Sequence, residues 1–145
     1  MKSRTKARSL ALQALYEVDI TGHPAPAAIE ERLADEPLDD NLADFARQIV
    51  FGVLPLVGKL DNFISQHAPE WPLDQVAVVD RNILRIALWE FAVARVTPIK
   101  VAINEAIEMA KEAIQLYIES LQAHGEQVPT EAETLEYTLM VGAYA

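Results

Sequence analysis

"VAVVDRNILRIALWEFAVARV", residues 76–96, decides the fold. Val79, Ile83, Ile86, Ala87, Phe91 and Ala94 recur at helical spacing on one face, and Leu84, Leu88 and Trp89 widen it. A helix apolar over so much of its circumference must be surrounded by others, so this stretch predicts the central helix of a bundle. The same period runs outward on both sides. Residues 3–19 place Ala7, Leu10, Ala11, Ala14, Leu15 and Val18 on one face, and Gly22 and Pro24 stop that helix. A short helix over 27–34 is closed by Pro37, and Asp39 or Asp40 then caps a helix carrying Leu42, Phe45, Ala46, Ile49 and Val53. Gly58 interrupts before "KLDNFISQHA", and "PEWPLDQ" is a rigid connector into the central helix.

Beyond the central helix, Thr97 and Pro98 read as N-cap and first residue of a helix reaching His124, with Gly125 as its stop. At about 1.5 Å per residue it is near 40 Å long. Within it, Ile103, Ile107, Ala110, Ile114, Tyr117 and Leu121 form one apolar seam. The character then changes. "GEQVPTEAE" is a turn-rich linker, and "TLEYTLMV", residues 134–141, alternates in a way that predicts a strand, with a helical reading open because the window is short. A lone strand needs a partner for its backbone, and a second copy of the chain is the nearest one.

At 145 residues one domain suffices, with a core that needs no metal or disulfide; cysteine is absent, which excludes a thiol nucleophile and cysteine-ligated zinc. The basic opening lacks an apolar signal core and no run approaches membrane-span length, so a cytoplasmic protein is expected. Net charge is −10, unevenly spread. Lys2, Arg4, Lys6 and Arg8 are a third of all basic residues, whereas 112–145 hold six glutamates and neither lysine nor arginine. A basic head on an acidic body implies either a local anion-binding patch or simply a solvated amino terminus.

Catalytic constellations are missing. His23, His67 and His124 are scattered, and the five glycines never gather into a phosphate loop. Glu105, Glu108 and Glu112 share a helix, but without a nearby histidine they read as a solvated face paired with Lys111. Asp80, Arg81, Arg85 and Glu90 read as surface ion pairs or a partner contact. No enzyme, cofactor or metal is expected. The amino terminus is the better candidate: Arg4 and Arg8 are four apart, as are Lys2 and Lys6, so each pair lies on one side of a helical turn and can meet successive phosphates.

"RTKARSLALQALYEVD", "ILRIALWE" and "TPIKVAINEAIEMAK", in this order, resemble the signature blocks of the NusB family of transcription antitermination factors over roughly residues 1–111. The resemblance implies an all-α bundle that binds boxA RNA together with NusE, a small-subunit ribosomal protein. It implies RNA contact by Arg4, Lys6 and Arg8, and partner or RNA surfaces near Tyr16, Asp80 and Arg81. Residues 112–145 depart from the family pattern, lacking its Phe-Gly turn and Phe-Val-Asn-Gly-Val-Leu block. Residues 105–141 resemble instead the helix, loop and strand of the HicB antitoxin family. A chimera joined at Glu105–Lys111, by recombination or design, is expected; a divergent NusB with a replaced end is the alternative. The chimera implies weakened RNA binding and a homodimer through 112–141.

Overall fold

The computed structural model describes residues 3–70, 73 and 76–125. Six α-helices make up the described chain: α1 Ser3–Thr21, α2 Ala25–Asp35, α3 Asp40–Val53, α4 Val57–His67, α5 Val78–Leu88 and α6 Ile99–Ala123. A 3₁₀ turn, Leu54–Leu56, links α3 to α4, and α5 widens into one π turn, Trp89–Val93, where Ala94 N–H donates to the Trp89 carbonyl. No strand occurs among the described residues. The strand expected at 134–141 lies outside them.

The helix stops are local chemistry. Gly22 leaves α1 at φ 73°, a left-handed state in which a side chain is strained. Pro24 and Pro26 then enter α2, where the missing N–H groups cost nothing. Asp39 is the residue before α3, yet it caps with its backbone carbonyl, which accepts from Leu42 and Ala43, and not with its carboxylate.

Helices α1 and α5 are the centre. The predicted α1 face is buried at Ala7, Leu10, Ala11, Ala14 and Leu15, against Ala28 and Ile29 of α2 and Phe45, Ala46, Ile49, Val50 and Val53 of α3. Ile83, Ile86, Ala87, Leu88 and Trp89 close the core from α5 and its π turn. Burying each of the large aliphatic side chains contributes roughly 1.5–3 kcal/mol. Trp89 lies on the backbone of α3 at Gly52, where a Cβ would overlap the indole ring. Only glycine admits that approach.

Helix α6 is unbroken from Ile99 to Ala123, so the expected junction at Glu105–Lys111 falls inside one rod. Its buried face differs from the expected seam. Ala102, Ala106 and Met109 are buried, whereas Ile103 and Ile107 are 47% and 43% exposed. Stripes starting at 102 and at 103 have the same helical spacing, and the small alanines let α6 approach its neighbours more closely than isoleucines would. The start of α6 also differs: Pro98 is the cap position and Thr97 turns its hydroxyl elsewhere.

Candidate nucleic-acid interface

The first turns of α1 carry the cations singled out by the sequence, and the fold sends them in different directions. Arg4 is exposed, its guanidinium lying 4.7 Å from the centre of the Phe45 ring, a cation–π contact that orders a long side chain. Lys6 is half-exposed and its Nζ pairs with Glu36 at 2.9 Å. Arg8 is turned inward and is 3% exposed. Its Nε donates to both Glu90 oxygens at 3.0 and 2.9 Å, its Nη2 to Oε1 at 2.8 Å, and its Nη1 lies 3.5 Å from Glu105. The guanidinium of Arg8 is thus already engaged by carboxylates. A four-residue spacing does not guarantee one fate: Arg4 and Arg8 both lean on Phe45, the first from outside and the second from within.

Glu90 is the residue that the sequence undervalued. It is 1% exposed and its Oε1 also accepts the Thr97 hydroxyl at 2.7 Å, while Thr5 donates to Glu105 at 2.8 Å. A glutamate inside the apolar run "ALWEFAVA" was the available signal, because a charge on an apolar helix face must be paired if the face is buried.

The expectation of surface ion pairs on the central helix is corrected in the same way. Arg85 is buried and clamps two helices, with Nε and Nη2 each 2.7 Å from Asp61 of α4 and Nη1 3.0 Å from Asp19 of α1. Burial pulls its pKa down, but hydrogen bonds and charge from Asp61 and Asp19 outweigh it and hold the pKa above its ordinary value. Asp80 is buried in the first turn of α5. Arg81 is half-buried, and its Nε is a buried atom with no hydrogen bond among the described residues. Tyr16 is 40% exposed at an apolar groove of about 510 Å³ between α1 and α6, with Leu12, Met109 and Leu116 beside it. It does not join Arg4 and Lys6; it lies three turns further along α1.

Among the described residues no three His, Asp or Glu side chains gather to hold a metal, and Lys111 pairs with Glu108 at 3.5 Å. No described helix is long and apolar enough to cross a membrane.

Fold and site define an all-α bundle protein whose first helix shows a cationic edge above a buried ion-pair network. The chain belongs to the NusB family, whose model matches residues 5–115. It is similar to the transcription antitermination protein NusB of Chloroflexus aggregans, 47% identical over 111 residues covering 75% of this chain and 74% of that one. Against the protein of the same name from Bacillus subtilis, identity is 47% over 111 residues, covering 77% and 81%. Among solved structures, T. maritima NusB is 28% identical and superposes with a TM-score of 0.70 over 98% of this chain and 89% of that one. A chain from the crystal structure of antitermination factors NusB and NusE in complex with dsRNA gives 0.72 over 99% and 96% at 17% identity, a likeness of fold alone.

Proposed function

We propose that this chain is a transcription antitermination factor that binds boxA-type RNA together with NusE. The observation that carries the reading is the exposed Arg4, preordered on Phe45 at the start of a helix that the Arg8–Glu90 pair fixes in place, in a chain 47% identical to antitermination proteins. Arg4 and Lys6 meet RNA phosphate; Arg8 serves from below by holding the turn. Phosphate contact suits such groups because each cation placed on the backbone releases counterions. Tyr16 faces the protein partner, with the half-buried Arg81 at the start of α5. Asp80 is buried and stands behind that surface, and the apolar groove beside Tyr16 suits a protein side chain better than a phosphate.

Six glutamates and no basic residue in 112–145 add like-charge repulsion, so affinity is expected to be lower than for a relative with the usual carboxyl end. Fluorescence anisotropy with labelled boxA RNA, with and without NusE and over a salt series, tests both points. Binding that strengthens with NusE and weakens with salt is expected. Absence of binding at every salt concentration refutes the reading.

A second reading is favoured by one observation. Ile99, Ile103 and Ile107, four residues apart, leave an apolar strip exposed along α6. A hybrid of NusB and HicB character, with 112–145 as a dimerising arm, covers that strip with a second copy. Light scattering decides it: a monomer over the whole accessible concentration range excludes the dimer.

A further inference from the structure

Glu90 reaches beyond α1. Its Oε1 accepts from Arg8 at 2.8 Å and from the Thr97 hydroxyl at 2.7 Å, and its backbone carbonyl accepts from Val96 N–H at 3.1 Å. One residue therefore holds the first turns of α1 and the connection from the π turn to α6, the second of these by side chain and main chain together. In that connection Arg95 has φ 56°, the only positive φ at a non-glycine position among the described residues. That backbone state is disfavoured for a side-chain-bearing residue and persists where its surroundings over-determine it. Arg95 is exposed and makes no ion pair among the described residues. Val96, Thr97 and Pro98 share with Arg4 and Thr5 the lining of a recess of about 250 Å³. Glu105 also lines it, with its carboxylate engaged by Thr5 and Arg8. Lys100, exposed in the first turn of α6, follows directly.

We infer that Arg95 and Lys100 form a second arm of the RNA contact, and that Glu90 is the positioning residue that sets this arm against Arg4. The inference rests on the RNA reading above. Arg95 and Lys100 flank the Val96–Pro98 wall in the chain without lining the recess themselves. A phosphate chain that crosses the recess from Arg4 reaches them beyond that wall, whose distance from Arg4 is fixed before binding, so less ordering is lost on association. Glu90 itself touches no phosphate; it acts through Arg8 on one wall and Thr97 on the other.

The full-length chain with Arg95→Ala, Thr97→Val or Thr97→Ser is titrated against labelled boxA RNA over a salt series, with thermal unfolding of each. Arg95→Ala is expected to lower the slope of log affinity against log salt by about 0.7, one single-strand phosphate contact. Thr97→Val keeps every charge and the shape while removing the hydroxyl. It is expected to bind about tenfold more weakly with its slope unchanged. Thr97→Ser restores the hydroxyl and is expected to match the parent. A purely structural role would move the unfolding temperature and leave the affinity of the folded molecule alone. Parent-like affinity for Thr97→Val, or a parent-like slope for Arg95→Ala, overturns the inference while leaving the RNA reading standing. If the parent itself binds no RNA, that reading falls and takes this inference with it. Should Thr97→Val not fold, the Arg95→Ala slope decides alone.

Discussion

Replacing Arg8 with methionine separates two kinds of buried charge in this molecule. Met has nearly the reach of arginine and none of its charge, so Glu90 keeps its packing and loses its main counter-ion. At 1% exposure Glu90 has no route to water, and only Thr97 still donates to it. Breaking a buried pair from one side costs about 3–5 kcal/mol. For a chain of this length that is roughly 12–20 °C in Tm, at about 4 °C per kcal/mol. Arg85→Met provides the contrast. Its partners Asp19 and Asp61 keep 31% and 28% of their side chains exposed and can turn to solvent, so about 1–2 kcal/mol is expected. The pair Arg8→Met with Glu90→Leu removes both charges and is expected to recover most of the loss, since apolar replacement of a whole buried pair is often neutral. Urea unfolding followed by circular dichroism measures all four chains. An Arg8→Met cost at or below that of Arg85→Met, or a double variant no more stable than the single one, refutes the argument that desolvation ranks these sites.

Two further outcomes follow from the packing and the charges. Ile103→Glu is expected to change stability by less than about 0.5 kcal/mol, whereas Ala106→Leu overpacks the face against α5 and costs about 1–3 kcal/mol; the opposite order in urea unfolding would return the buried seam to 103 and 107. Glu17 is held below its ordinary pKa of 4.5 by its hydrogen bond from His23 and by Arg32, and Glu30 likewise by Arg47. Depressed carboxylates stabilise the fold above 4.5 and lose that contribution as pH falls through their lowered values, so acid unfolding of Glu17→Gln with Glu30→Gln is expected to be shallower than that of the parent. An identical acid limb in the two chains would remove these groups from the account.

The faces of α1 and α3 were readable because each offers one apolar stripe and no competitor, and α5 was readable as the centre because it is apolar over most of its circumference. Leu10, Ile49 and Ile86 have nowhere else to go. Helix α6 offers two stripes one residue apart, and periodicity ranks isoleucine above alanine. The fold ranks closeness of approach instead, and buries Ala102 and Ala106. The site was readable as a basic amino terminus and no further. Arg8 and Glu90 stand 82 residues apart, so no local pattern pairs them, and Thr97 looked like a cap because Thr-Pro before a helix commonly is one. Tertiary pairing overruled a local preference in both cases.

The inward turn of Arg8 has a consequence for how strongly this molecule can attract a polyanion. Of Arg4, Lys6 and Arg8, the third is neutralised internally and the second is shared with Glu36, leaving Arg4 as the one unshared positive charge among the described residues of the first turns of α1. A tally of cationic letters therefore overstates the field felt by an incoming strand. Long-range capture should be feeble, and selectivity must come from fit after encounter.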